Sequence, residues 1–252
     1  MDQKETMNPA GFPAKKSVGL LLDPDKAGGA SLRRLIEVAS ESNTDYILAG
    51  GSLALNSIDK LINEIKELTS IPVILFPGNL LQLSMKADAI FFLSLISGRN
   101  PEFLIGNHVI AAPFLKNNRE RIIPVGYILI GCGTKTSVEY MSQTEAIPSD
   151  KPDIAVATAL AGEMLGLRMI YLEAGSGSAH HVPAAIISAV KENISIPLVV
   201  GGGIRNEMEV ETVFTSGADM VILGNACEDN PELLRQACSV RDKFRKLQNP
   251  LV

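Results

Sequence analysis

Eight short, almost wholly apolar runs recur along this chain between longer amphipathic or polar segments, and that rhythm limits the fold more than any other feature. The runs are Val18–Leu22, Tyr46–Ala49, Val73–Phe76, Ala89–Leu95, Ile122–Ile130, Met169–Glu173, Leu198–Val200 and Met220–Leu223. They are continuous rather than alternating in polarity, as strands covered on both faces must be. Between them, Ser31–Ser42, Ser57–Leu68, Pro152–Leu165, Pro183–Lys191, Glu207–Thr215 and Pro231–Leu247 carry apolar residues at helical spacing. Several have start or stop signals: Ser149 or Asp150 before Pro152, Gly166 after Leu165, and Asn230 before Pro231. Strands alternating with helices predict a parallel sheet, and eight parallel strands close into a (β/α)8 barrel. The 252 residues match the ~250 of one such barrel, so 17–252 is read as a single α/β domain.

One crossover breaks the rhythm. From Phe76 to Ala89 the chain has barely the dozen or so residues that a parallel connection needs. Asn79–Lys86 has room only for a short helix or an extended piece, so the expectation is a modified TIM barrel with an irregular or missing third helix. Residues 1–16 are polar, carry Gly11 and Pro13, and lack an apolar signal core, which predicts a flexible tail. No run is long enough to span a bilayer, and a cytoplasmic protein without stable membrane insertion is expected. The net charge of −5 argues against a nucleic-acid partner. Cys132, Cys227 and Cys238 have no metal-type spacing and read as reduced thiols.

In a barrel the functional residues follow the strands, at the C-terminal face. Those positions hold Asp23-Pro24-Asp25-Lys26, Gly50-Gly51-Ser52, Pro77-Gly78-Asn79, Glu173–Ser178, Gly201–Gly203 and Gly224-Asn225. Glycines after the last strands are where barrels bind phosphate through backbone N–H groups, and Ala226–Asp229 could add a short helix there. One glycine pair would mark no more than a turn; three converging clusters point to a phosphate site. Asp23 is either a cap for Lys26 and the following helix or a Mg2+ ligand, since Mg2+ needs only one or two carboxylates plus substrate oxygens and water. Ser52 can add an oxygen; Asp25 competes as a ligand and Lys26 as a phosphate partner. Glu173 has the place of a general base for a substrate hydroxyl, with Tyr171 able to orient the same polyol. His108, on a predicted helix, and His180 and His181 lack the spacing of a zinc site and read as loop or capping residues.

The blocks Leu22–Lys26, Gly50–Ser52, Tyr171–Gly177, Val200–Arg205 and Leu223–Asn225 resemble the signature blocks of the geranylgeranylglyceryl phosphate synthase family, in order, from about Val18 to Asp229. The resemblance implies a TIM barrel with an altered third helix. It also implies Mg2+-dependent transfer of a prenyl group from a polyprenyl diphosphate to the 3-hydroxyl of sn-glycerol 1-phosphate, a step of ether-lipid biosynthesis. Carried over position by position, Asp23 and Ser52 are the metal residues. Tyr171, Leu172, Glu173, Ala174, Gly175, Ser176, Gly177, Gly202, Gly203, Gly224 and Asn225 form the glycerol phosphate site. Glu173, aided by Tyr171, accepts the hydroxyl proton.

A long tail needs an apolar groove, expected through the gap at the third unit near Leu80, Leu81, Leu83, Phe91 and Phe92. One branch of the family carries Lys two residues before the first Asp. Here that position is Leu21, which leaves Lys26, Arg99 and Arg205 as candidates to hold the diphosphate. A longer donor such as heptaprenyl diphosphate, a sugar-phosphate isomerase or lyase, and a non-catalytic phosphometabolite-binding barrel are the alternatives. A homo-oligomer is expected, with the apolar outward face of Ile154–Leu167 available to it.

Overall fold

A computed structural model describes residues 12–13, 15–133 and 135–248. The apolar runs form strands β1 (Ser17–Leu22), β2 (Tyr46–Ala49), β3 (Val73–Leu75), β4 (Ala89–Leu95) and β5 (Ile122–Gly131). After a two-residue strand β6 (Ile147–Pro148) come β7 (Met169–Glu173), β8 (Leu198–Gly201) and β9 (Met220–Leu223). Every pairing is parallel, and the sheet order β4-β3-β2-β1-β9-β8-β7-β5 is closed by β4 on β5. The result is an eight-stranded barrel, with β6 appended to the end of β5. Successive side chains alternate between its two faces. Leu48, Ile74, Phe91, Val125, Tyr171, Val199 and Met220 fill the interior, while Val18, Leu20, Ile47, Ile170, Leu172 and Val200 pack outward against helices.

The helices are α1 (Gly29–Glu41), α2 (Ile58–Leu68), α3 (Asn107–Leu115), α4 (Ser137–Ser142), α5 (Pro152–Met164), α6 (Ala184–Asn193), α7 (Glu207–Thr215), α8 (Asn225–Asp229) and α9 (Glu232–Gln248). Ser57 caps α2 by accepting from the Lys60 amide, and Asn206 caps α7 by accepting from the Glu209 amide. At the head of α5 Lys151, not Ser149 or Asp150, holds the N-cap position and makes no side-chain bond; at its end Gly166 closes the helix as expected, with φ +87° and its amide donating to the Glu163 carbonyl. Asn230 does accept from the Glu232 amide at the head of α9. Between β3 and β4 there is only a 3-10 turn, Leu80–Gln82, so the third helix is missing as the short crossover required. A π turn (Glu102–Gly106) running into α3 follows β4.

The tail expected over 1–16 lies mostly outside the described residues, but its last part is packed. Phe12 is 6% exposed and meets Tyr46 edge-on with ring centroids 4.5 Å apart. Lys16 Nζ donates to the Ala218 carbonyl. At the same N-terminal end of the barrel, Asp45 receives Arg241 at 2.8 Å and Arg245 at 2.5 Å, which ties α9 to the base of β2. The opposite end is left open for a site.

Candidate active site

Glu173, the last residue of β7, is 6% exposed and pairs with no cation among the described residues. Its Oε1 accepts from the Gly175 amide at 2.6 Å. Burial pushes its carboxyl above the ordinary glutamate value; the Gly175 amide and the nearby phenols of Tyr171 and Tyr127 oppose that without cancelling it. Tyr171 Oη is buried beside Glu173 and has no hydrogen-bond partner among the described residues. The glycines of the next strand are dictated by these two side chains. A Cβ at 201 would lie 2.1 Å from Tyr171 Oη, and one at 202 would lie 2.2 Å from Glu173 Oε1. Gly202 also has φ +81°, a conformation that side chains with a Cβ resist.

The glycine clusters do converge. Asn225 Nδ2 donates to Ser176 Oγ at 2.9 Å, and Lys26 Nζ donates to Asn225 Oδ1 at 3.0 Å, which joins the loops after β7, β9 and β1 in one chain. The amides of Ser176, Gly177 and Gly203 donate to nothing among the described residues and are free for an anion. Leu172 and Ala174 do not join this cluster through their side chains, which pack outward into the helical layer. The alternation of the strand sends every second residue of the block away from the site.

Across the mouth, Asp23 Oδ1 accepts from the Asp25 amide at 2.9 Å, and Oδ2 has no partner among the described residues. Asp23 overhangs Gly51, where a Cβ would sit 3.1 Å from Oδ2. Asp25 is otherwise engaged: its carboxylate accepts from the amides of Leu55 and Asn56, which lower its pKa. Asp25 is thereby a loop clamp. Arg99 donates to the carbonyls of Ile96 and Gly98, and Arg205 to that of Ser178 at 2.8 Å, so both brace loops. Lys26, joined to Asn225, is a cation at the mouth. Among the described residues no three or more His, Cys, Asp or Glu side chains are grouped to hold a metal. The open Asp23 oxygen nevertheless fits Mg2+, which takes most of its ligands from substrate and water. His181 Nδ1 contacts the Val182 carbonyl and the His180 carbonyl accepts from Ser178 Oγ, the loop roles expected of them.

An apolar groove opens beside Gly51 and Ser52 and runs under the missing helix between β4 and α3. It is lined by Leu80, Leu83, Phe91, Phe92, Phe103, His108 and Tyr127 among others. Leu81, expected there, instead points to solvent at 93% exposure. Phe103 and Tyr127 were missed, and His108, expected in a loop or capping role, lies in α3 and lines the groove instead. His108 packs edge-on to Phe92 with centroids 4.3 Å apart, and its buried Nδ1 has no partner among the described residues.

Comparison with known proteins bears on what this arrangement belongs to. Residues 15–240 match the model of the PcrB family. The chain belongs to that family. Within reach of this PcrB-family chain is the geranylgeranylglyceryl phosphate synthase of Spirosoma linguale, 47% identical over 233 residues, which are 92% of this chain and 94% of that one. The synthase of the same name from Thermococcus sibiricus is 41% identical over 83% of this chain and 82% of its own. The structure of (S)-3-O-geranylgeranylglyceryl phosphate synthase from Thermoplasma acidophilum with sn-glycerol-1-phosphate superposes with a TM-score of 0.86 at 34% identity. That match covers 92% of this chain and 96% of the other. Thiamine phosphate pyrophosphorylase of Pyrococcus furiosus, at 13% identity and TM-score 0.56, shares the fold alone. The resemblance drawn from the five sequence blocks therefore holds along the barrel.

Proposed function

We propose that this PcrB-family protein is a geranylgeranylglyceryl phosphate synthase, joining the prenyl group of geranylgeranyl diphosphate to the 3-hydroxyl of sn-glycerol 1-phosphate as an ether. The observation that carries this reading is the placing of Glu173. It is a buried carboxylate without a cation among the described residues, set between free backbone amides on one side and an apolar groove on the other. Tyr127 belongs to both regions, since it lines the groove and its phenol faces Glu173.

In this reading the amides of Ser176, Gly177 and Gly203 hold the phosphate of the acceptor, with Asn225 fixing the loop that carries Ser176. The acceptor is thereby oriented with its 3-hydroxyl toward Glu173, and proximity supplies much of the rate. Glu173 takes the hydroxyl proton as the C–O bond forms and the bond from C1 of the prenyl chain to diphosphate breaks. Asp23 and Ser52 would hold Mg2+, which supplies charge neutralisation of the leaving diphosphate. Lys26 adds a cation on the same rim, and the groove keeps water from the allylic carbon.

The longer heptaprenyl donor is the second reading of the same site, and a panel of donors of increasing length decides between the two. The reading includes action in the cytoplasm; no described helix is long and apolar enough to cross a membrane. It also includes self-association through the exposed Ile154, Met164 and Leu165, measurable by light scattering. The proposal is tested by following diphosphate release from geranylgeranyl diphosphate with Mg2+ present. Release that requires sn-glycerol 1-phosphate supports the transferase; release at the same rate without it refutes acceptor transfer.

A further inference from the structure

The 3-10 turn that stands in for the third helix delivers one polar side chain into the rim of the site. Gln82 is 2% exposed. Its Oε1 accepts from the amides of Gly51 at 3.3 Å and Gly78 at 3.2 Å, and its Nε2 donates to the Gly51 carbonyl at 2.7 Å. Both main-chain groups of Gly51 are thus paired by one carboxamide, as a neighbouring strand would pair them just beyond the end of β2. Only an amide side chain offers donor and acceptor in that arrangement. The loops it joins are in tight contact: a Cβ at Gly78 would lie 2.1 Å from the Gly51 carbonyl oxygen. Gly51 is also the residue beneath the Asp23 carboxylate, and Ser52 follows it at the groove mouth.

We propose that Gln82 is a positioning residue for the donor side of the site. It holds the Gly51–Ser52 turn in register with Asp23 and with the mouth of the groove, a task left open by the absent helix. Gln82 touches no reactant and acts through Gly51 and Ser52. The inference rests on the proposed function for the identity of what binds there. The clasp itself rests on geometry alone.

The test uses the full chain carrying Gln82→Met, which keeps length and burial while removing all three bonds. Gln82→Asn, too short to reach both loops, is the second variant should the first fail to fold. Three quantities are measured: amide exchange of Gly51 and Gly78 by NMR, and calorimetric affinity for inorganic diphosphate with Mg2+ and, separately, for sn-glycerol 1-phosphate. The expected result is faster exchange at both glycines and about tenfold weaker magnesium diphosphate binding, as loss of a net hydrogen bond or two implies. Glycerol phosphate affinity stays within about twofold, because its amides belong to the loops after β7 and β8. In a Ser52→Ala background the Gln82→Met effect on diphosphate should largely disappear. Equal weakening of both ligands would show a general loss of structure and overturn the assignment, as would unchanged diphosphate affinity with both amides freed. Failure of the unaltered chain to bind magnesium diphosphate would overturn the donor-site reading, and with it this role. The exchange data would still report the clasp.

Discussion

Replacing Glu173 by Gln separates what that carboxylate does for catalysis from what it does to stability. The amide is nearly isosteric, and its Oε1 can still accept from the Gly175 amide, now 2.6 Å from the carboxylate. What disappears is the proposed proton acceptor, which in general base catalysis is worth about 10²–10⁴ in rate. Stability should move the other way. Burial raises the folded-state pKa above the value of 4.5 for a free glutamate, so the folded protein holds the proton more tightly than the unfolded chain. Its contribution is fully present below pH 4.5 and is lost as pH rises through the folded value. At neutral pH the ionised group is therefore a burden, and the neutral amide lifts it. A gain of about 1 kcal/mol would raise Tm by about 2–4 °C in a domain of this size. The assay is paired: turnover at saturating substrates, and melting temperature at several pH values. The wild-type and variant curves should converge toward pH 4.5, and the acidic limb of the kcat/KM profile should vanish in the variant. Turnover within a few-fold of wild type would refute the catalytic role, and a Tm difference independent of pH would refute the role in stability.

Gly202→Ala would press a methyl group 2.2 Å from Glu173 Oε1 and 2.7 Å from the Gly175 nitrogen at φ +81°; it should cost about 1–3 kcal/mol in urea melts and remove most turnover. Leu83→Trp should fill the groove and shift donor preference to shorter prenyl chains, whereas Leu81→Trp, at a side chain 93% exposed, should leave the preference unchanged in a donor competition assay. Arg241→Met, at the far end of the barrel, strips a 1%-exposed partner from Asp45; stability should fall by about 3 kcal/mol by denaturant titration, with the KM for each substrate unchanged in the folded enzyme.

The strands were legible because burial on both faces writes itself as uninterrupted apolar sequence. Val73–Phe76 appears as Val73–Leu75, and Ile122–Ile130 runs one residue further to Gly131. The missing third helix was legible from chain length alone. Helix α3 was legible only as a helix around His108; its extent was not, because its apolar residues surround the axis and Pro113 interrupts it, so no single face stands out. Strand β6 and helix α4 are too short to carry a period.

In the site, Asp23 and Glu173 declared themselves as carboxylates at strand ends among glycines. Asp25 looked like their equal until the structure spent it on the amides of Leu55 and Asn56. Gln82 could not be found by motif, since its partner Gly51 lies 31 residues away and is recognised only through main-chain atoms. Tyr127 was hidden for a related reason. It meets Tyr171, at a centroid distance of 5.1 Å, only once the barrel has closed β5 against β7.

In the proposed reaction a glycerol phosphate held by the glycine turns is alkylated by a chain held in the groove. The most direct measurement is transfer of label from sn-glycerol 1-phosphate into an organic-extractable product, with Mg2+ and a panel of prenyl diphosphates of increasing length. The account predicts labelled lipid with at least one long donor, none from sn-glycerol 3-phosphate at comparable rate, and near-complete loss with Glu173→Gln. No extractable label with any donor would contradict it.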